Sequence, residues 1–454
     1  MLEEVLKRFE RQAPISVMAR VALERAIDPG WVDEVFEASR QRQYPRELLF
    51  STVVEMVTLV SLGLRPSLHA AAKQAGNLPV SLAALYDKVK RTEPAIVRAL
   101  VHGSGERLQP VVQAMGMEPS LPGWRLRVLD GNHLPASEKR LAPLREQRGA
   151  ALPGYSLVVY DPDSGLVRDI VACEDAYTQE RSTTAPLLAS AQEGELWIAD
   201  RNFCTHTIMQ GWHDAKAGFI VREHAKHPKL LTVGAMQLCA RIETGEVHEQ
   251  AIEIRQDQAP WRRIELRLDT PTEAGDTTIA LWSNLPSTVS AQQIAQLYRK
   301  RWRIEEMFQR LESVLHSELR SLGHPRAALL GFAVAVLAYN VLSVLKRSVE
   351  QAHRDDSKPA LDVSTYHLAV NLRSSYEGML IALPAVHWTT WSCAEPQRIA
   401  ERLLELASHL NPRTVSTAKR GPKINKPKGY VDASIARSHV STARVLMGTC
   451  SPTP

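Results

Sequence analysis

Residues 290–326 read SAQQIAQLYRKRWRIEEMFQRLESVLHSELRSLGHPR, and their pattern predicts one long helix. Ser290 with Gln293 three residues on has the form of a capping box, which satisfies two orphan backbone donors at a helix start. Gly323 and Pro325 are expected to end the helix. Between them Ile294, Leu297, Ile304, Phe308, Leu311 and Leu315 recur at helical spacing and make one apolar face. A second row runs beside it. At about 100° per residue, Tyr298, Arg301, Glu305 and Glu312 fall within roughly 60° of one another. A phenol, a guanidinium and two carboxylates therefore share one strip. Taken alone, such a strip fits a solvated face with spaced ion pairs. Sheltered, a carboxylate beside an arginine is also a candidate for metal or phosphate chemistry.

The chain around this helix is long enough, at 454 residues, for two or three domains. A hydrophobic content of 44% and a charged content of 23% fit a soluble globular protein. The net charge of +5 is mildly basic, so only its distribution argues for nucleic acid. Cys173, Cys204, Cys239, Cys393 and Cys450 form no CxxC pair, which argues against a zinc site or disulfide framework and fits a reducing cytoplasm. The N-terminus, MLEEVLKRFERQAP, is charged and is not a signal peptide. Residues 327–345 carry no formal charge and approach the ~20 residues of a membrane span. They contain Gly331, Tyr339, Asn340 and Ser343, and they predict a buried core helix.

Residues 1–120 read as helical. Ser67 can cap SLHAAAKQA, which ends at Gly76-Asn77, and Ser81 can cap a second helix carrying Tyr86, Lys88, Lys90 and Arg91. Helix, glycine turn and basic helix suit a DNA-reading hairpin, with Lys88, Lys90 and Arg91 as candidate contacts. A packing domain has the same signature.

From residue 124 the texture becomes that of strands. Residues 124–129 predict a strand ending in Asp130. Residues 155–160 and 166–172 are two strands joined by the turn sequence DPDSG. A helix near 186–192 and the apolar strand ELWIA at 195–199, ending in Asp200, follow. Residues 203–215 are helical and 218–221 are another strand. Residues 230–282 alternate in the strand manner (VHEQAIEIR, WRRIELRLD, TTIALW), so the separation from 200 to 305 is not a simple loop. Aspartate before glycine is commonest as a turn former. Asp161, Asp163 and Asp175 read as turn or surface residues. Trp261, Trp282 and Trp302 read as packing. Glu306 beside Glu305 leaves two glutamates open as a ligand on residue type alone.

The segments DGNHL (130–134), ADRNF (199–203) and YRKRWRIEEMF (298–308), in this order, resemble the DDE transposases of bacterial insertion sequences, in the branch marked by a Tyr-Arg-Glu-Lys motif. The resemblance covers about residues 124–345. It implies an α/β fold with an RNase H-like mixed sheet flanked by helices. It also implies a β-rich insertion at about 223–285, inside a catalytic domain of 121–345. The domains expected around it are a helical, DNA-binding N-terminal domain (1–120), a helical region (346–410) and a basic tail (411–454). By resemblance Asp130, Asp200 and Glu305 are the catalytic carboxylates. They would hold two Mg2+ or Mn2+ ions for two-metal phosphoryl transfer, the cleavage and joining of DNA strands. The motif's register from Tyr298 and Arg301 selects Glu305 over Glu306. Tyr298 and Arg301 would hold phosphates near the scissile bond. The expected partner is double-stranded DNA, bound by a homodimer, with a cytoplasmic, nucleoid-associated location and no membrane.

One position departs from the motif. Glu312 stands where the family has lysine, so Arg310 or Arg320 would have to supply the cation. A transposase-derived DNA-binding protein of weakened catalysis is therefore an alternative, as is an RNase H-like nuclease that only hydrolyses. The tail from 411 carries eight Lys or Arg against one acidic residue, Asp432, and the run KRGPKINKPKG is rich in proline and glycine. It predicts disorder and phosphate contact, with Lys419, Arg420 and Lys423 as candidates.

Overall fold

A computed structural model describes residues 2–44, 47–76, 78–134, 154–175, 178–224, 226, 228–254, 260–272, 275–319 and 322–417. Lys419, Arg420, Lys423 and the disorder expected of the tail lie outside them, as does Arg320. Seven helices come first: α1 (Leu2–Gln12), α2 (Pro14–Ile27), α3 (Pro29–Ser39), α4 (Phe50–Ser61), α5 (Leu68–Gln74), α6 (Leu82–Arg91) and α7 (Pro94–Ala114). Ser67 and Ser81 cap α5 and α6 as the sequence predicts, each hydroxyl accepting a backbone N–H at 3.2 Å.

The alternating segments then build β1 (Arg125–His133), β2 (Tyr155–Asp161) and β3 (Leu166–Cys173). A short 3-10 turn (Glu180–Thr183) and α8 (Ala185–Ser190) lead to β4 (Glu195–Ala199). A second turn (Arg201–Phe203) and α9 (His206–Asp214) lead to β5 (Gly218–Arg222). The next segment gives β6 (Thr232–Val233), β7 (Gln237–Ile242), β8 (Gly245–Glu253), β9 (Trp261–Leu268) and β10 (Thr278–Ser283). These are not a separate sheet. One ten-stranded mixed sheet runs β3-β2-β1-β4-β5-β10-β9-β8-β6, with β7 also paired to β8. β10 joins β5 antiparallel, so the inserted strands prolong the central sheet.

The predicted long helix is two. α10 (Ala291–Arg299) starts at the capping box, with Ser290 and Gln293 each closing on the other. A turn at Lys300 and Arg301 separates it from α11 (Trp302–Leu315). The break has visible anchors: Lys300 Nζ bonds Asp163 at 3.2 Å and Arg303 bonds the Pro162 carbonyl at 3.1 Å, both in the β2–β3 turn. α11 ends earlier than Gly323 and Pro325 imply, because His316 takes left-handed geometry with φ 47° and Ser317 N–H returns to the Leu311 carbonyl. Pro325 is instead the first residue of α12 (Pro325–Ala352), where its missing N–H costs no hydrogen bond. α13 (Thr365–Ala382) and α14 (Pro396–Ser408) follow.

α12 is the centre of the helical layer and packs against α2, α4, α6, α7, α11, α13 and α14. A helix surrounded on all sides must be apolar on all sides. Its most apolar stretch is 94% buried, which explains the uncharged run at 327–345. The N-terminal helices are thereby part of the same compact unit, Met1–Ser416. α7 also lies on β3. Asn340 of α12 finishes that edge strand, its side chain accepting from Val167 N–H at 2.8 Å and donating to the Val167 carbonyl at 2.9 Å.

The period of two along a strand divides the sheet into two faces. Leu126, Val128, Leu196, Ile198 and Ile220 join the core that includes α11 and α12. Leu129, Trp197, Ala199, Phe219 and Val221 join a second core with Ile208, Met209 and Trp212 of α9.

Candidate active site

β1 and β4 are parallel neighbours in register from Arg125↔Glu195 to Leu129↔Ala199. Asp130 and Asp200 are the next residue on each strand. They therefore stand level across the pair and, by alternation with Val128 and Ile198, on the face towards α11. Asp130 does not end its strand: β1 continues to His133 against β2. Gly131 is not a turn residue but a strand residue. Asp200 caps the turn that follows it, accepting from Asn202 N–H at 2.8 Å.

Across from the aspartates, the α10–α11 junction supplies Arg301. Its Nη1 is 3.3 Å from Asp130 Oδ2 and its Nη2 is 2.9 Å from Glu305 Oε1. One guanidinium thus joins the strand carboxylate to the helix carboxylate. Tyr298, one turn earlier, is near Arg301, Arg222 and Asp200, and burial pushes its phenol up to about 12, so it stays a neutral donor. Burial also pushes the Asp130 carboxyl up to about 7. Gly131 N–H and Arg301 oppose that rise, while Asp200 and Glu180 add to it. Five of the sequence candidates, Asp130, Asp200, Tyr298, Arg301 and Glu305, are therefore one neighbourhood. Glu306 is not part of it and pairs with Arg310 at 3.3 Å.

Among the described residues, no group of three or more His, Cys, Asp or Glu side chains is close enough to hold an ion as it stands. The side chain of Arg301 spans from Asp130 to Glu305. The donor chemistry still suits a hard divalent cation, because the set is all carboxylate oxygen and one guanidinium at 3.3 Å does not offset the burial of Asp130.

Other candidates fall outside this neighbourhood. Lys88 is not available to a ligand: its ammonium bonds the Leu48 carbonyl and lies 4.9 Å from the Phe36 ring centre. Of the three basic residues on that helix, Lys90 and Arg91 are exposed, Lys90 with Asp87 at 2.7 Å. Arg310, a candidate for the role of the motif lysine, lies by Glu306, Tyr160 and Tyr339. Glu312 is exposed on α11. Asp161 and Asp163 belong to the β2–β3 turn, as DPDSG implies, but are not at the surface. Asp161 is 3% exposed beside Arg127. Asp163 accepts from Ser120 and Lys300. Trp261 and Trp282 are core residues, but Trp302 is 62% exposed, with Arg301 5.6 Å from its ring centre.

Sequence reading missed Glu180. Its Oε2 accepts from Asn202 Nδ2 at 2.8 Å and its Oε1 lies 3.5 Å from His133 Nε2. Nothing in the local pattern marks it, since every partner is distant in sequence.

The fold and site define an α/β protein with carboxylates from two parallel strands and a helix gathered on one sheet face. Residues 124–341 match the family model of the transposase DDE domain. A protein of Sinorhizobium fredii (strain NBRC 101917 / NGR234) named "Putative transposase y4zB" is 26% identical over 230 residues, 49% of this chain. The match spans 61% of that relative's length. A solved structure, the cryo-EM piggyBac transposase synaptic complex with hairpin DNA, aligns at a TM-score of 0.39 and 11% identity over 86% of this chain and 87% of that one.

Proposed function

We propose that this chain cleaves the DNA ends of an insertion sequence and joins them to another strand, with Asp130, Asp200 and Glu305 as its catalytic carboxylates. The observation that carries the reading is the level placement of Asp130 and Asp200 on parallel β1 and β4, facing the helix that presents Glu305. The succession of three antiparallel strands and two parallel ones supports an RNase H-like core. Two Mg2+ or Mn2+ ions held by these carboxylates would activate the attacking hydroxyl and stabilise the leaving oxygen of an in-line displacement. Glu305 would exchange its contact with Arg301 for a cation. Arg301, so released, presents a fork that matches a phosphate, and Tyr298 donates a neutral hydrogen bond beside it. Lys90, Arg91 and the tail residues Lys419, Arg420 and Lys423 would contribute sequence-independent phosphate contacts, with two copies pairing two ends.

The test is cleavage of a labelled duplex carrying the end of the element that would encode the chain, with Mg2+ or Mn2+. Nicks with 3′-hydroxyl ends in wild type, absent in Glu305→Ala, support the reading. Binding without nicking in both proteins would sink it. The exposed Glu312 on the Glu305 helix favours one second reading, a DNA-binding protein of weakened catalysis.

A further inference from the structure

We propose that Glu180 is a positioning residue of this site: from the far face of β1 it holds Asn202, and through Asn202 the turn that carries Asp200. The inference rests on the reading of Asp130, Asp200 and Glu305 as a DDE centre. Alternation puts Asp130 on the α11 face and Gly131 on the opposite one, with Leu129. Glu180 opens the 3-10 turn on that opposite face. A side-chain carbon at position 131 would strike Glu180 Oε1 far inside van der Waals contact, and also its Cδ. The glycine after Asp130 is thus a cradle for this carboxylate.

The hydrogen bonds then run in one direction. Asn202 donates its side-chain amide to Glu180 Oε2 at 2.8 Å and its backbone N–H to Asp200 Oδ1 at 2.8 Å. A bond to a charged acceptor is stronger than one between neutral groups, so Glu180 fixes Asn202 firmly. Asn202 in turn fixes the rotation of the Asp200 carboxylate. The other Glu180 oxygen faces His133 at 3.5 Å. With both oxygens directed at protein groups behind the sheet, Glu180 acts through Asp200 rather than on substrate. Outer residues that orient metal-binding carboxylates matter to metal affinity by about 10- to 100-fold when lost.

The test uses the full-length protein, with Mn2+ as the probe. Binding is read by calorimetry and cleavage of the labelled end duplex is read separately. Glu180→Ala is expected to weaken Mn2+ binding and lower the cleavage rate by ~10- to 100-fold, with KM for DNA unchanged. Glu180→Gln, which keeps an acceptor oxygen for Asn202, is expected to recover most of both. Gly131→Ala displaces the carboxylate and is expected to match Glu180→Ala, yet to add nothing in the Glu180→Ala background, where the atom it strikes is gone. Asn202→Ala breaks the same link from the other end and carries the same expectation where Glu180→Ala does not fold. The proposal is overturned by Mn2+ binding unchanged in folded Glu180→Ala, or by losses from Gly131→Ala and Glu180→Ala that multiply. Wild-type protein that neither binds Mn2+ nor cleaves overturns the DDE reading and this one with it. Wild type that does both, with Glu180→Ala its equal, overturns this one alone.

Discussion

Arg301 stands between Asp130 and Glu305, 3.3 Å from one carboxylate and 2.9 Å from the other. It is largely buried, and it belongs to the turn between α10 and α11 rather than to a continuous helix. The motif tyrosine and the motif glutamate are therefore on different helices, with the arginine as their hinge. Arg301→Ala removes the cation that faces Asp130 and, in the proposed reaction, the phosphate fork. Cleavage is expected to fall ~100-fold or more, the order seen when one preorganised donor is lost from an active site. Arg301→Lys keeps the charge but not the two-pronged geometry, and is expected to recover only a part. Single-turnover nicking rates of the two variants check both statements.

Asp130 is held in its place at the expense of stability. Burial disfavours its charge, and Asp200 and Glu180 add to the penalty. Asp130→Asn is expected to abolish cleavage and, with chelator present, to raise the melting temperature by a few degrees, on the order of 1 kcal/mol. Differential scanning calorimetry beside a cleavage assay reads both. A fall in melting temperature together with lost activity would show that the carboxylate is structural.

The edge of the sheet gives a stability prediction independent of the site. Asn340 binds both the N–H and the carbonyl of Val167 from within the apolar helix α12. Asn340→Leu leaves two buried backbone groups without partners, at about 1–3 kcal/mol each before relaxation. The urea midpoint is expected to drop by a corresponding amount. Val167 amide exchange is expected to quicken in the same variant.

Several elements were legible because their signals are local. The Ser290–Gln293 capping box, the Ser67 and Ser81 caps and the five strands up to Arg222 follow from spacing within a few residues. The helix break at Lys300 and Arg301 was not legible, because it depends on Asp163 and Pro162 in a distant turn. Nor was the inward turn of Lys88, which depends on Leu48 and Phe36. The turn at Asp161 and Asp163 was legible in DPDSG, but their burial was not. Their burial comes from Arg127, Ser120 and Lys300. Glu180 is the same case at the site: its neighbours Gly131, His133 and Asn202 come from two other parts of the chain.

The inward turn of Lys88 separates two effects that its helix would otherwise confuse. Lys88→Ala is expected to lower stability and leave the salt dependence of DNA binding unchanged. Lys90→Ala and Arg91→Ala, on the exposed side, are expected to leave stability within ~0.5 kcal/mol. Each is expected to reduce the slope of log K against log salt by ~1 if it touches a phosphate. Fluorescence anisotropy at four or five salt concentrations measures these slopes. Unchanged slopes in both exposed variants would remove α6 from the DNA surface.

Glu312 allows the same method to address the departure from the family motif. It lies two turns beyond Glu305 and is exposed, so a longer side chain there meets no packing obstacle. Its charge repels a phosphate that the motif lysine would attract. Glu312→Lys changes the local charge by two units, which strengthens binding of the end duplex and steepens the salt slope by ~1 if the added cation meets a phosphate. Neither α11 nor the contact of Arg301 with Glu305 is disturbed, so the melting temperature is expected to stay within about 1 °C. If wild type already nicks the duplex, the variant is expected to do so at lower protein concentration with a similar rate at saturation. If wild type binds without nicking and Glu312→Lys nicks, this one residue accounts for the lost activity. Equal affinity and salt slope in both proteins would place the DNA away from this end of α11.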